Sequence, residues 1–241
     1  IRWIGNSYLF VHEGIVDRIM RGKLKHEFEE IHDENHFTRK ERIIELCEGI
    51  KARKILDVGC GDGFISEELV GKGDVYGVDI SEKRLKVARE KGIKAIRADL
   101  ETGIPFRASS FDLVIASEVL EHIFDTDFLI EEIRRVLKPN GHLIVSVPNV
   151  CCFTSRANVL IGRLPCYIEY DTSEEVAGHI RGYNKSAILN QLRRHDFQIE
   201  DVRTNMLIIP VLRWKINWKF KALSGLGEII IVKARKKRGQ V

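Results

Sequence analysis

The segment from Asp57 to Gly63 holds the residues whose spacing points most directly to ligand chemistry. The mostly apolar stretch Ile55–Val58 is typical of a short buried strand, and glycines follow at positions 59, 61 and 63. Glycines between a strand and a helix let the backbone turn tightly and approach a ligand closely. The first N–H groups of the helix then face that ligand. We therefore predict a helix from about Phe64 to Val70 and, before it, a loop that binds a nucleoside cofactor.

The spacing of the glycines separates the candidate cofactors. A dinucleotide loop has the pattern G-x-G-x-x-G, and counting from Gly59 its third glycine would fall on Phe64. No Lys-Ser/Thr pair follows, as a phosphate-binding loop would require. Asp57 makes the loop acidic, which suits a ligand that carries an ammonium and a sulfonium and no phosphate. The pattern from Asp57 through Gly59 and Gly61 to Gly63 resembles the first motif of the class I S-adenosylmethionine-dependent methyltransferases.

Asp79 ends the second predicted strand and is the next candidate ligand-binding residue. Ligands of open α/β sheets bind outside the carboxyl ends of the strands. A carboxylate at this position can accept hydrogen bonds from both hydroxyl groups of a ribose. A helix-capping role is the alternative for Asp79, although Ser81 suits that role better.

Further cofactor positions are implied by the resemblance. In this class the residue at the place of Asp99 accepts a hydrogen bond from the adenine amino group, and Leu100 would supply an adjacent apolar wall. An ordinary turn role is the alternative for Asp99. Ser117 would lie near the methionyl part of the cofactor, and Asp57 would face the methionyl amine. The predicted cofactor-binding residues are Asp57, Gly59, Cys60, Gly61, Asp79, Ile80, Asp99, Leu100 and Ser117.

A second motif, Glu118-Val-Leu-Glu121-His122, follows the fourth predicted strand, and His179 lies much later in the chain. One helical turn would present Glu118, Glu121 and His122 on neighbouring faces. Two carboxylates and an imidazole are suitable ligands for Mg, Mn or Zn. The motif resembles ubiquinone-biosynthesis O-methyltransferases and also small-RNA 3′-terminal 2′-O-methyltransferases, in which a metal binds ribose hydroxyls. Metal-free small-molecule methyltransferases share the pattern, and our preferred interpretation contains no metal. It assigns His122, His179 and Glu118 to catalysis, with the histidines in the acceptor pocket or acting as general bases.

The resemblance predicts a methyl transfer from S-adenosylmethionine to oxygen of a small or lipid-like acceptor. This reaction is an in-line displacement with an excellent leaving group, so catalysis is mostly positioning and removal of the acceptor's proton. The sequence therefore carries little information about the acceptor. A metal-assisted RNA 2′-O-methyltransferase and a non-catalytic cofactor-binding subunit are the alternatives.

Strands and helices alternate through the middle of the chain. This order predicts right-handed crossovers and a parallel sheet covered by helices on both faces. We expect a Rossmann-like class I methyltransferase fold: a mostly parallel seven-stranded sheet with an antiparallel last strand. The predicted strands are 54–58, 74–80, 93–98, 111–116, 142–147, 197–203 and 228–233, and the later helices begin at Ser81, about Asp127 and Asn184.

Two regions interrupt this alternation, and one precedes it. We expect residues 1–50 to form an N-terminal helical lid and residues 51–241 the core domain, with inserts at about 149–178 and 205–225. By resemblance, a residue between His36 and Arg39 would meet the cofactor carboxylate. Basic and aromatic residues alternate around Trp214 and Trp218, which is compatible with an apolar lid, RNA or a membrane surface. The tail after Lys233 is expected to fray.

Composition restricts the class of protein. The chain has 241 residues, of which 44% are hydrophobic and 31% charged, as in a globular domain. Its formal net charge of +4 is too modest to favour RNA as a partner. Five cysteines without a C-x-x-C pair predict free thiols in a reducing, cytoplasmic compartment. No apolar run reaches the roughly 18 residues of a membrane span and no signal peptide is visible, so we expect at most peripheral membrane contact.

Overall fold

The computed structural model describes residues 34–168, 178–209, 214–216 and 223–237. Five α-helices and nine strands lie in these ranges, together with one-turn 3₁₀ helices at Ser66–Leu69 and Leu120–His122. The helices are α1 Glu34–Cys47, α2 Glu82–Glu90, α3 Thr126–Val136, α4 Phe153–Leu160 and α5 Lys185–Arg194. The strands are β1 Lys54–Val58, β2 Asp74–Asp79, β3 Lys94–Arg97, β4 Phe111–Ser117, β5 Leu137–Pro148, β6 Phe197–Thr204, β7 Leu207–Ile209, β8 Trp214–Ile216 and β9 Ile229–Lys236.

Seven strands form one sheet in the order β3-β2-β1-β4-β5-β9-β6. The strands from β1 to β5 pair in parallel, whereas β9 runs antiparallel to both of its neighbours, β5 and β6. Six strands therefore point the same way, and the antiparallel strand is the last one in the chain. The predicted fold class is confirmed. The strand order reverses between β1 and β4, so the carboxyl ends of these two strands flank the crevice where such sheets bind ligands.

Alternate residues of the strands face two separate apolar cores. Leu56 and Val58 of β1 pack in the core that also holds the apolar faces of α3 and α5. Ile55 points the other way, into the core formed with α1 and α2. This period of two is what a strand buried on both faces requires. Helices consequently cover both faces of the sheet, as predicted.

Helix caps fix two of the crossovers. The Ser81 side chain accepts a hydrogen bond from the backbone N–H of Arg84 at the start of α2, and Asn184 accepts one from Ala187 at the start of α5. Both residues were predicted as caps on their type alone. In α5, Ile188, Leu189 and Leu192 form a buried apolar stripe.

The predicted helix from Phe64 to Val70 is wrong. The segment forms only a 3₁₀ turn at Ser66–Leu69, which has no side-chain cap, and Val70 is already extended and bridged to Gly73. Only a few residues separate Gly63 from Gly71, and both glycines have positive φ, so the segment ends before a regular helix can form. The loop therefore lacks the strong helix dipole that the sequence led us to expect.

The C-terminal boundary was also predicted too early. β9 continues to Lys236 and pairs with strands on both sides, so Lys233–Lys236 is not frayed. The Lys236 ammonium donates 2.7 Å hydrogen bonds to the carbonyl oxygens of Arg134 and Leu137 at the end of α3. The last carbonyl groups of a helix lack partners within the helix, so Lys236 has a structural role as their hydrogen-bond donor.

The described residues cover part of each predicted domain feature. Of the expected lid, α1 is described and residues 1–33 lie outside the described ranges. The insert after β5 contains α4, and the second insert contains the antiparallel pair β7–β8. Trp214 lies in β8 and Trp218 lies outside the described residues. The domain boundaries stay predictions. Among the described helices, none is long and apolar enough to cross a membrane.

Leu129 provides a direct test of the core between α3 and the sheet. It is fully buried there, so Leu129→Ala should lower the free energy of unfolding by about 2–5 kcal/mol through lost burial and a residual cavity. Leu160 in α4 is 87% exposed, and Leu160→Ala should change it by no more than about 0.5 kcal/mol. Urea unfolding of both variants measures this difference; equal effects would contradict the packing described here.

Candidate active site

The glycine loop is fastened to β2 by main-chain hydrogen bonds. The N–H groups of Gly59 and Cys60 both donate to the carbonyl oxygen of Val78, at 2.8 and 3.0 Å. Gly59 has φ of 69°, and a Cβ atom there would lie 2.5 Å from Cγ2 of Val119. Only glycine therefore fits at this position without displacing a neighbour. The Cys60 side chain is buried and its sulfur lies against Gly77, so any contact of Cys60 with a ligand comes through its backbone.

Asp79 ties this loop to the start of the next helix. One carboxylate oxygen, Oδ2, accepts the N–H of Gly61 at 2.9 Å, and the other, Oδ1, accepts the N–H of Ser81 at 2.8 Å. Asp79 is half-buried, and each oxygen can accept a second hydrogen bond. The structure thus assigns Asp79 part of the structural role we had weighed as an alternative, while leaving acceptor capacity for ribose hydroxyls. Ile80, beside it, is 60% exposed.

Asp57 is buried at the end of β1, below the glycine loop. Burial above all, together with the negative charges of Asp79 and Asp62, raises the pKa of its carboxyl group to about 7. A carboxyl group with this pKa is partly protonated at neutral pH. A nearby cation would favour its ionised form, so the position is suited to a ligand ammonium group.

Asp99 and Leu100 lie after β3. Oδ1 of Asp99 accepts the N–H of Glu101 at 3.0 Å, and its carbonyl oxygen accepts the N–H of Thr102 at 3.0 Å. These are the bonds of a turn residue, the alternative left open by the sequence. The Asp99 side chain is nevertheless exposed, and Leu100 is buried in the core beneath it. The adenine-binding role of both residues stays a prediction.

A chain of polar contacts joins the end of β4 to α1. The hydroxyl groups of Ser117 and Ser146 lie 2.8 Å apart, and Ser146 donates to Oε1 of Glu118 at 2.9 Å. Because Ser146 has only one hydroxyl proton, Ser117 must be the donor to Ser146. The guanidinium group of Arg39 in α1 lies 3.5 Å from the other oxygen of Glu118. Ser146 was not recognised from the sequence, since it is a small polar residue inside an apolar strand.

Glu121, His122 and His179 form a separate cluster. Each residue offers one possible metal-ligand atom, and these atoms lie within 4.8 Å of one another. The centroids of the two imidazole rings are 5.0 Å apart. Glu121 is fully buried, and neither carboxyl oxygen has a hydrogen-bond partner among the described residues. Burial, followed by the negative charge of Glu118, raises the pKa of Glu121 well above its usual range. Such a group must hold a proton or face a cation.

Main-chain hydrogen bonds bring the distant histidine to this cluster. The N–H groups of Ile180 and Arg181 both donate to the carbonyl oxygen of Glu121, at 2.9 and 3.2 Å. The Arg181 side chain donates to the carbonyl oxygens of Ile123 and Phe124. These contacts bring together His122 and His179, the two histidines that the sequence analysis had placed in one site.

Comparisons with known proteins agree with this geometry. Residues 56–145 match the methyltransferase domain family. The ubiquinone biosynthesis O-methyltransferase of Bordetella avium is 38% identical over 130 residues, which cover 51% of this chain and 54% of that relative. The protein of the same name from Vibrio campbellii is 32% identical over 133 residues, covering 52% and 56%. The chain thus matches about half the length of these curated relatives.

Solved structures extend the likeness across most of the chain. A Thermotoga maritima structure, described as an S-adenosylmethionine-dependent methyltransferase and possible histamine N-methyltransferase, has a TM-score of 0.65 at 18% identity, covering 93% of this chain and 97% of that one. An S-adenosylmethionine-dependent methyltransferase from Mesorhizobium loti has a TM-score of 0.62 at 24% identity, covering 85% and 100%. At these identities the likeness concerns the fold. Residues 56–145 carry a methyltransferase domain, and the chain has the class I methyltransferase fold.

The methyltransferase domain separates the motif that the sequence had grouped on one helical turn. That expectation is wrong, because only Leu120–His122 form a 3₁₀ turn and Glu118 precedes it with φ of 54°. The left-handed conformation directs the Glu118 carboxylate toward Ser146 and Arg39. Glu121 joins the histidines instead. The cluster that could hold a metal therefore has one carboxylate where the sequence suggested two.

The insert after β5 contacts Glu228, a residue just before β9 that the sequence analysis did not recognise as part of a site. Glu228 is buried and accepts hydrogen bonds from Thr154 and Tyr167, at 2.7 and 3.0 Å. Burial raises the pKa of its carboxyl group. The Tyr167 ring lies 6.4 Å from the His179 ring, so the hydrogen-bonded pair of Tyr167 and Glu228 borders the two histidines of the candidate site. Glu228 went unrecognised because it stands alone before an apolar strand.

The pKa of Asp57 leads to a pH-dependent stability. Its folded-state pKa of about 7 exceeds the value of about 3.9 in an unfolded chain, so its contribution to stability is greatest below pH 4 and is lost as pH rises to 7. Asp57→Asn should remove this loss, which amounts to about 1.4 kcal/mol per pKa unit. Urea unfolding across this pH range gives the difference between the two proteins.

Asp74, the first residue of β2, is the matched control for Asp57. It is exposed and its pKa is lowered by a hydrogen bond from Lys94, so its contribution has the opposite sign and is lost as pH falls. Asp74→Asn should therefore leave the loss of stability between pH 4 and 7 in place. If Asp57→Asn retains the pH dependence of the parent protein, Asp57 is not the buried acid described here.

Proposed function

We propose that this protein is an S-adenosylmethionine-dependent methyltransferase that transfers a methyl group to oxygen of a small or lipid-like acceptor. The observation that carries the proposal is the acidic glycine loop fixed to Asp79 at the switch point of a class I methyltransferase sheet. The oxygen acceptor is supported by the relatives, which are named as ubiquinone biosynthesis O-methyltransferases.

The residues present fit the cofactor. A Cβ atom at Gly59 would lie 2.5 Å from Cγ2 of Val119, so only glycine lets the loop take this path, and a ligand ammonium beside the buried carboxyl group of Asp57 would favour its ionised form. We assign Asp57 to the methionyl ammonium and Asp79 to the ribose hydroxyls. The remaining predicted contacts are the backbone of Cys60 and Gly61, the side chains of Ile80, Asp99 and Leu100, and Ser117. When bound, S-adenosylmethionine supplies an electrophilic methyl group on a sulfonium with an excellent leaving group.

Arg39 extends this assignment to α1. Its guanidinium group faces Glu118 across the end of β4, and its Nε atom is buried without a hydrogen-bond partner among the described residues. A buried unpartnered donor beside a carboxylate can bind a second anion. We assign Arg39 to the cofactor carboxylate and Glu118 to holding Arg39 in place, which makes Glu118 a positioning residue.

His122 and His179 are the candidates for removing the acceptor's proton. Nδ1 of His122 lies 3.3 Å from the carbonyl oxygen of Gly178, so the favoured tautomer donates its Nδ1 proton there and leaves Nε2 as the base. His122 is exposed, and His179 is half-buried beside it. An imidazole in such a position can act as a general base at neutral pH.

Metal-assisted transfer is the second candidate function, and the Glu121 cluster favours it. The unpartnered buried carboxylate with two imidazoles offers three donors of the kind that Zn or Mn bind, leaving further positions open. A metal held there would lower the pKa of an acceptor hydroxyl and orient it. This chemistry would serve vicinal hydroxyls, including those of an RNA end. RNA remains the less favoured partner, as does a non-catalytic scaffold; peripheral membrane contact and a cytoplasmic location stay predictions.

Asp79 gives the first test of the cofactor assignment. Asp79→Ala should weaken binding of S-adenosylhomocysteine by about 1.5–3 kcal/mol, since it removes hydrogen bonds to a charged group. Isothermal titration calorimetry measures the change. Asp74→Ala, at the opposite end of the same strand, should bind like the parent protein because Asp74 is exposed and pairs with Lys94. Equal affinities for all three proteins would remove Asp79 from the cofactor site.

Metal titration distinguishes the two candidate functions. If the cluster holds a metal, Mn²⁺ should bind the parent protein, and Glu121→Gln or His122→Ala should each abolish binding. His195→Ala is the control, because His195 contacts Asp127 and Glu131 away from the cluster. EDTA should then stop methyl transfer while leaving binding of S-adenosylhomocysteine intact. Turnover that resists EDTA, together with no Mn²⁺ heat, would rule out the metal-assisted function and leave the histidines as bases.

A further inference from the structure

Two buried cysteines meet in the insert after β5. Cys152 is fully buried and Cys166 is 5% exposed, and both are free thiols. The sulfur of Cys152 caps α4 by accepting the N–H of Ser155 at 3.4 Å, and it lies 3.2 Å from the Ser155 hydroxyl oxygen. The same hydroxyl accepts the N–H of Cys166 at 3.0 Å. The Ser155 hydroxyl group therefore contacts both cysteine residues and holds them next to each other.

The two thiols also interact with each other. Each thiol shifts the pKa of the other, which indicates that the two side chains are neighbours, and Asn158 donates to the Cys166 sulfur at 3.6 Å. The Cys152 thiol lowers the pKa of Cys166, whereas the pKa of Cys152 is raised by Cys166 and by burial. Cys166 is thus the member of the pair that forms a thiolate, and the thiolate is the nucleophile in thiol oxidation.

We propose that Cys152 and Cys166 form a redox-responsive pair that hydrogen peroxide converts to an intramolecular disulfide. The Cys166 thiolate attacks one peroxide oxygen, the O–O bond breaks, and the released hydroxide takes a proton to leave as water. The Cys152 sulfur then attacks the sulfenic sulfur of Cys166, the S–O bond breaks, and hydroxide leaves as water with the Cys152 proton. Two thiols and one peroxide thus give one disulfide and two waters, and a dithiol reductant reverses the change.

The other cysteines lack these features. Burial raises the pKa of Cys47 to about 12 and also raises that of Cys60, so neither forms a thiolate near neutral pH. Cys151 is adjacent to Cys152 in sequence but only half-buried, and its sulfur is 4.0 Å from the Asn184 amide. Cys151 is accordingly a matched control, being more accessible than the pair but without a partner thiol beside it.

The pair borders the proposed acceptor site. Tyr167 follows Cys166 directly, has φ of 65°, donates to Glu228, and its ring lies 6.4 Å from His179. Forming the disulfide removes the Cys152 sulfur from the Ser155 N–H and draws Cys166 toward α4. The backbone at Tyr167 must follow. Any effect on turnover rests on the proposed function, whereas formation of the disulfide does not.

Peptide mass mapping tests the pair without requiring enzymatic activity. The reduced chain is exposed to graded hydrogen peroxide, quenched in acid, unfolded, alkylated and digested without reductant. We expect one major linked species that joins Cys152 to Cys166 and disappears with dithiothreitol. Cys152→Ser and Cys166→Ser should each abolish it, and Cys151→Ser should form it at the parent rate. Oxidation of Cys151 or Cys47 ahead of the pair, or a pair that remains fully alkylated, would overturn the proposal.

Hydrogen exchange tests the connection to the site. Peroxide should change the exchange of backbone amides around Tyr167 in the parent protein and in Cys151→Ser, but not in Cys166→Ser. A disulfide that forms without this change would overturn the coupling between the pair and Tyr167. Loss of S-adenosylhomocysteine binding by the reduced protein would instead contradict the proposed function and leave the mapping result unaffected.

Discussion

The burial of two carboxyl groups, one at the end of β1 and one just after β4, is the constraint on which the site depends. Asp57 and Glu121 are both almost completely removed from solvent, and burial raises the pKa of each. An ionised carboxyl group in such a position is costly unless a cation or several donors compensate it. Each acid must therefore hold a proton or await a positive ligand. This requirement suits a cofactor with an ammonium and a sulfonium better than any phosphate-bearing nucleotide.

Main-chain hydrogen bonds determine where these acids lie relative to one another. Val78 and Asp79 fasten the glycine loop to β2, and the carbonyl oxygen of Glu121 holds the segment that carries His179. Side-chain identity matters little for the contacts of Val78 and Glu121, whereas the contact of Asp79 with Gly61 requires its carboxylate. Main-chain contacts of this kind can keep the geometry of the site when nearby side chains are changed.

The sequence predicted the fold well because the signals for it are local. Apolar strands, caps such as Ser81 and Asn184, and the order of elements all follow from short-range patterns. The errors arose where tertiary contacts decide the outcome. β9 extends to Lys236 because its tail finds carbonyl oxygens of α3, and the segment after Gly63 fails to form a helix because another glycine follows too soon. In the site, the roles predicted for Asp57 and Asp79 rest on position along a strand, and Arg39 lies in the stretch from His36 that the resemblance indicated. Ser146 and Glu228 depend on contacts between distant segments that spacing does not encode.

The contrast between Glu118 and Glu121 shows how the backbone divides one motif between two tasks. Glu118 adopts φ of 54°, and this turn brings its carboxylate to Ser146 and Arg39. A left-handed conformation is unfavourable for a residue with a Cβ atom, and the contacts with Ser146 and Arg39 offset that cost. Glu121, one turn later, obtains no such donor among the described residues and lies against two imidazoles. In the function we propose, the acid that Ser146 and Arg39 already compensate lies on the cofactor side, and the acid that still needs a proton or cation lies on the acceptor side.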